Sequence, residues 1–195
     1  MSSPTLVSPS VLKVIALAAS AGGQKAIATV LRDLPTSLRA AIAIVQHLDP
    51  HQRSTLAENL SRHTALTVKE AEAKEWMQYG TVYIAPPDYH LRVNWDGSLS
   101  LDQTAPVNFL RPSADVLFQS VAISYRTGAI AVVLTGTGND GAKGVQAIKQ
   151  RGGRVIAQNR ETAECFGMPQ SAIQTGVVDW ILPLEKIAPA LQNWV

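Results

Sequence analysis

A serine, a histidine and an aspartate stand out in this chain because each follows an apolar run of strand length. Ser20 comes after residues 14–18 (VIALA) and just before Gly22-Gly23. His47 follows residues 41–45 (AIAIV) and Gln46. Asp140 lies in the loop Thr135-Gly136-Thr137-Gly138-Asn139-Asp140-Gly141 after residues 129–134 (AIAVVL). A serine hydroxyl is a weak nucleophile at its own pKa and needs an adjacent base, which in turn needs an orienting group. If the three strands are neighbours, the chemistry is acyl transfer. Ser20 attacks, His47 takes its proton, and Asp140 orients the imidazole. The N–H groups where a helix starts after Gly22-Gly23 face the developing oxyanion. Each residue also has a purely structural reading. Ser20 can be an N-cap, His47 a satisfied structural histidine, and Asp140 the cap of the helix after it. The turn at Ser20 is not G-x-S-x-G, and the order Ser, His, Asp differs from the Ser, Asp, His of the common hydrolases. Triads are defined by geometry and roles, so order alone does not exclude one.

The elements that must position these groups follow from hydrophobic patterning. Strands are expected at 14–18, 41–45, 66–68, 81–85, 129–134, 154–157 and 177–182. Helices are expected at 22–31, 52–62, 113–125, 141–150, 169–175 and 184–194. Runs that are apolar throughout, rather than alternating, imply burial on both faces. Their alternation with helices argues a doubly wound, mostly parallel α/β sheet. Asp96-Gly97, between 91–94 and 98–102, signals an inserted antiparallel hairpin that gives the sheet some antiparallel pairing. In such folds ligands bind beyond the carboxyl ends of the strands, where Ser20, His47 and Asp140 are expected. The organisation is one domain over 11–195 behind a flexible Ser/Pro-rich leader, 1–10.

Composition removes several function classes. Of 195 residues, 46 % are hydrophobic and 16 % charged, enough apolar mass for a core and too much for a disordered chain. Lys and Arg number 17 against 15 acids, with no basic run, so a nucleic-acid partner has no electrostatic footprint. The single cysteine, Cys165, cannot form an internal disulfide, which fits the reducing cytoplasm. It reads as an inert buried thiol. No apolar run reaches the ~18 residues that span a bilayer, so no membrane insertion is expected. Residues 11–19 resemble a signal-peptide core only superficially, since Lys13 sits inside the run and no Lys or Arg precedes it. Gly136-x-Gly138-x-x-Gly141, with Glu161 downstream, matches a dinucleotide fingerprint, but Asp140 in that loop would repel a pyrophosphate. His47 and His51 have i, i+4 spacing with Pro50 between them, which disfavours a shared metal. No cofactor and no metal are expected.

Six segments carry a family likeness. VIALAASAGGQKAI, IAIVQHLDP, GTVYIAPPDYHL, RPSADVLFQSVA, VVLTGTGNDGAKG and AQNRETAECFGMPQSAI, in this order, together resemble the catalytic domain of the chemotaxis-receptor methylesterase, the CheB type. The likeness runs from about residue 11 to the C-terminus. It implies an enzyme that hydrolyses glutamyl methyl esters on the cytoplasmic helical bundle of bacterial chemoreceptors, and in many members deamidates receptor glutamines. The family's serine lies in A-S-x-G-G, here Ser20. Its histidine lies in V-Q-H, here His47. Its aspartate lies in L-T-G-x-G-x-D-G, here Asp140. Two positions depart from the family. The residue after the serine, often threonine, is Ala21, and the methionine of L-T-G-M-G is Thr137. That methionine helps form the family's oxyanion site, so Ala21 and Thr137 are the expected oxyanion residues, acting through backbone N–H groups. The well-known members also carry an N-terminal receiver domain, which a ten-residue leader cannot hold. The resemblance therefore implies a stand-alone esterase or part of a longer protein. A receiver or methyltransferase domain would then act in trans or from that longer chain. Two other readings stay open: an esterase of another substrate, and a non-catalytic docking module of the same fold.

Overall fold

Strands that are apolar on both faces need helices on both sides, and the chain supplies them in alternation. The computed structural model describes residues 13–49 and 54–195. The leader read at 1–10 and His51 lie outside the described residues. In chain order the elements are β1 (Val14–Ala19), α1 (Gly23–Arg32), β2 (Ala41–Gln46), α2 (Leu56–Ser61), β3 (Thr67–Glu70), β4 (Thr81–Ile84), β5 (His90–Val93) and β6 (Leu99–Asp102). They continue with α3 (Ala114–Tyr125), β7 (Ala129–Val133), α4 (Ala142–Gln150), β8 (Arg154–Gln158), α5 (Gly167–Gln174), β9 (Trp180–Leu182) and α6 (Leu184–Gln192). The main sheet has the order β3-β4-β2-β1-β7-β8-β9 and is parallel at every pair. From β1 the chain builds outward through β2 to β4 and β3. It then returns to the other edge of β1 with β7, β8 and β9. β1 is thus the switch point, where the connections to either side part and leave a crevice at the strand ends.

The central strands alternate small with large side chains, and this sorts the two faces. Ala16, Ala18, Ala41, Ala43, Ala129 and Ala131 point to one side, where Leu117, Phe118 and Val121 of α3 pack. Ile15, Leu17, Ile42, Ile44, Ile130 and Val132 point to the other, against Ile27 and Leu31 of α1 and Leu191 of α6. Short side chains let α3 come close to the sheet. Its other side is covered by the hairpin β5–β6, where Val93 N–H donates to Ser120 Oγ at 3.0 Å and Ser124 Oγ donates to Val93 O at 2.9 Å. α3 is therefore buried nearly all round its first half, from Ala114 to Phe118. The hairpin forms a separate two-stranded sheet, rather than adding antiparallel pairing to the main one, because α3 lies between them.

Candidate active site

Parallel register brings the ends of β1, β2 and β7 level. Ala19 lies opposite Gln46, and Ala18 opposite Val133. The ladder then continues past the strands: His47 N–H donates to Ala19 O at 3.1 Å, and Ser20 N–H donates to Thr135 O at 3.0 Å. Ser20 thus has His47 on one side and the start of the 135–141 loop on the other. Gly136 is needed for that approach. A Cβ there would sit 2.9 Å from Ser20 Cβ and 2.3 Å from Met168 Sδ. The glycine of the apparent dinucleotide fingerprint therefore serves close packing. Ser20 and His47 line one hollow with Gly22, Gly23 and Gln24 at the N-terminus of α1. The N-cap of α1 is Gly22, and no side chain caps it, so the Ser20 hydroxyl is not held in that role.

His47 Nε2 meets Asp140 Oδ2 at 2.8 Å; the imidazole is 10 % exposed and the carboxylate not at all. With an N–H on Nε2 donating to Asp140, Nδ1 is the ring nitrogen left to act as a base. Asp140 accepts three further hydrogen bonds, from Ser113 Oγ (2.8 Å), Ala114 N–H (2.6 Å) and Asp115 N–H (3.1 Å). Four donors fill the four lone-pair directions of a carboxylate. Burial pushes the Asp140 carboxyl up, but these donors, His47 first among them, outweigh it and hold its pKa below the ordinary 3.8. The sequence allowed Asp140 to cap the helix after it. Instead it sits at the N-terminus of α3, an anion against the free N–H groups of a helix start. The corresponding carboxylate for α4 is Asp115, whose Oδ1 accepts Gly144 N–H at 2.7 Å. Burial raises the Asp115 pKa, Gly144 opposes that, and the nearby Asp140 charge adds to the rise.

The two expected oxyanion residues lie in the loops beside Ser20. Ala21 is exposed, directly after the serine, and its carbonyl accepts Thr135 Oγ1 at 2.9 Å. Thr137 is exposed directly after Gly136. Its loop is pinned by Gly136 N–H to Cys165 O (2.8 Å), Met168 N–H to Gly136 O (2.8 Å) and Ser171 Oγ to Gly138 O (3.2 Å). Cys165 contributes here through its backbone; its side chain is half-buried rather than buried as the sequence suggested.

Three residues hold the site in place through contacts that the sequence does not announce. Gln46 Nε2 donates to both Ser20 O (2.9 Å) and His47 O (3.0 Å), tying the two strand ends together. Its Oε1 is buried without a partner among the described residues. Ser113 holds Asp140, and buried His90 receives Ser113 N–H on Nδ1 at 3.3 Å. The available signals were a polar residue closing an apolar strand and a Ser-Ala-Asp helix start; neither names the distant partner.

Comparison with known proteins adds the family. The model of the CheB methylesterase family matches residues 15–191. The chain belongs to the CheB methylesterase family. This CheB-family chain is 45 % identical over 181 residues to the protein-glutamate methylesterase FrzG of Myxococcus xanthus, covering 93 % of the chain and 54 % of FrzG. It is 43 % identical over 174 residues to a putative protein-glutamate methylesterase/protein-glutamine glutaminase of Leptospira interrogans, covering 89 % of the chain and 90 % of that protein. The crystal structure of the Thermotoga maritima CheB methylesterase catalytic domain superposes with a TM-score of 0.90 at 40 % identity, over 94 % of this chain and 98 % of that one. The chain spans about half the length of FrzG and of similar relatives such as that of Syntrophomonas wolfei, 52 % in the latter.

Proposed function

We propose that the chain is a serine esterase that hydrolyses glutamyl γ-methyl esters on the cytoplasmic helical bundle of bacterial chemoreceptors. The observation that carries the reading is the 2.8 Å contact of His47 Nε2 with a fully buried Asp140, on a β2 end that pairs directly with the Ser20 strand. Ser20 Oγ attacks the γ-carbonyl while His47 Nδ1 takes its proton. Asp140 stays ionised and stabilises the imidazolium. Backbone N–H groups at Ala21 and Thr137 receive the oxyanion. The tetrahedral adduct collapses, His47 returns the proton to the departing oxygen, and methanol leaves. Water, deprotonated by His47, then attacks the acyl-enzyme and releases the glutamate carboxylate and free Ser20. With a glutamine side chain the same cycle releases ammonia, which is deamidation. Side chains and backbone donors handle every proton and charge, so the cycle calls for no cofactor or metal. A receptor substrate assigns the chain to the cytoplasm. Among the described residues no helix is long and apolar enough to cross a membrane. Regulation by a receiver or methyltransferase domain, in trans or from a longer polypeptide, belongs to the same proposal. The test is methanol release from a methylated receptor bundle. Wild-type protein releases it and Ser20→Ala does not; release by Ser20→Ala at the wild-type rate overturns the mechanism.

A further inference from the structure

Phe109 is the most exposed of the large apolar side chains described, at 101 %, ahead of Trp95 at 74 %. It stands at the tip of a two-residue turn closed by Val107 N–H to Leu110 O (3.0 Å) and Leu110 N–H to Val107 O (2.9 Å). Both central residues are left-handed, Asn108 at φ 50° and Phe109 at φ 66°. Such turns favour Asn-Gly, and a bulky aromatic in the second place is strained. Strain and full exposure of an aromatic ring together point to a surface contact. The turn is also anchored. Arg111 donates from Nε and Nη2 to Asp88 Oδ1 (2.9 and 2.6 Å), and from Nη1 to the carbonyls of Gln103 and Thr104 (both 3.0 Å).

Position supplies the occupant. Phe109 lines a hollow of about 180 Å³ with Pro106, Leu110, Pro112, His47 and Leu48, and the Asp88–Arg111 ion pair forms part of the same wall. His47 and Leu48 also line the hollow that contains Ser20, so the two adjoin. A polypeptide that delivers an ester side chain to Ser20 past His47 and Leu48 meets this rim. We propose that Phe109 and its apolar ledge pack against an apolar residue of the substrate helix beside the esterified glutamate, making Phe109 a specificity-determining contact for the protein substrate. The inference rests on the methylesterase reading above.

The experiment compares wild type, Phe109→Ala and Phe109→Leu on two substrates: a methylated receptor bundle, read by methanol release, and p-nitrophenyl acetate, which reaches only the Ser20 hollow. Losing a buried aromatic contact is expected to raise the receptor KM of Phe109→Ala about tenfold or more with kcat retained. Phe109→Leu should recover most of that. Turnover of the small ester should move less than about twofold, because the ledge handles no proton. Three results overturn the inference alone: an unchanged receptor KM, equal losses on both substrates, or a shift in sedimentation that assigns Phe109 to a contact between two copies of the chain. Wild-type turnover of the small ester without any methanol from the receptor overturns the methylesterase reading and takes this inference with it.

Discussion

Phe109 and Ser113 are near neighbours in the chain, yet one lies wholly in water and the other is completely buried. Around Ser113 every polar group is engaged. Its hydroxyl and two N–H groups of α3 converge on Asp140, which His47 completes. Around Phe109 the main chain is anchored while the side chain touches nothing that would hide it. The contrast separates two tasks. Groups that move or balance a proton gain from a dry, fully bonded setting, where each electrostatic contact is stronger than in water. Groups that select a macromolecular partner must reach outward and stay available. On this division, changes at the buried region should lower kcat and stability together, and changes at the rim should leave both largely intact.

Asp140→Asn is the harshest trial of the buried region. An amide presents N–H₂ to a site built wholly of donors and cannot balance an imidazolium. Turnover is expected to fall about 10⁴-fold, as when a triad aspartate becomes asparagine. Unmatched donors at the start of α3 should cost about 2–4 kcal/mol of unfolding free energy. Single-turnover methanol release and urea unfolding check the two effects; loss of rate with intact stability would break the link between them. Acid sharpens the same point. The Asp140 pKa is lower in the folded chain than its ordinary 3.8, so the unfolded chain binds more protons in that window. Its contribution is present above about pH 4 and is lost as pH falls through the folded value. Asp102 adds to the acid loss; burial pushes it up, but Thr104 and Arg92 hold it at about 2. Asp115, raised by burial, has the opposite sign and is relieved by acid. The stability gap between wild type and Asp140→Asn should therefore shrink in urea titrations as pH falls below about 4, through the lowered pKa of the folded Asp140.

Gln46 tests whether holding the strand ends matters as much as the proposed triad. Gln46→Leu removes the amide that bridges the carbonyls of Ser20 and His47. A misplacement on the order of 1 Å between nucleophile and base can cost 100-fold, so a 10- to 100-fold drop in kcat with little change in receptor KM is expected. Gly23→Ala approaches the same clamp from α1. Its Cβ would meet Gln46 Oε1 at 2.1 Å and Ala19 Cβ at 2.7 Å. Overpacking of this kind costs about 1–3 kcal/mol, and thermal unfolding of both variants separates displacement of Gln46 from its loss. A Gly23→Ala protein with normal rate would show that the clamp tolerates movement.

Much of this was open to sequence reasoning, for reasons that can be traced. β1, β2 and β7 are legible because an apolar run bounded by Gly or a polar residue leaves few alternatives. A parallel sheet then fixes which strand ends can carry chemistry, and Ser20, His47 and the loop of Asp140 lie at those ends. What stayed hidden depends on contacts distant in sequence. Nothing near Asp140 announces that its carboxylate belongs to the helix start at Ala114, 26 residues earlier. The choice of Nε2 for Asp140 is set by how the ring is aimed, which residue type does not encode. The hairpin at Asp96-Gly97 was visible as a local turn, but its separation from the main sheet depends on α3 being covered from both sides. Phe109 carries no signal of exposure in the sequence, since an aromatic beside Leu fits a core equally well. Only the left-handed turn turns it outward.

Thr137→Met asks the least of the molecule and draws the line between the two regions most finely. The loop that carries Thr137 is fixed by bonds from Gly136 to Cys165 and Met168, and from Ser171 to Gly138. None of these involves the Thr137 side chain, which is exposed. If the oxyanion is met by the backbone N–H, exchanging that side chain for methionine leaves the donor where it was. Removing an oxyanion donor outright costs on the order of 100-fold or more, so a kcat within about threefold of wild type would assign the role to the main chain. A change confined to receptor KM would place residue 137 with Phe109 on the recognising rim. A loss of kcat above about tenfold would mean that an exposed side chain handles charge in the transition state, and the separation of buried chemistry from exposed recognition would fail at its own boundary.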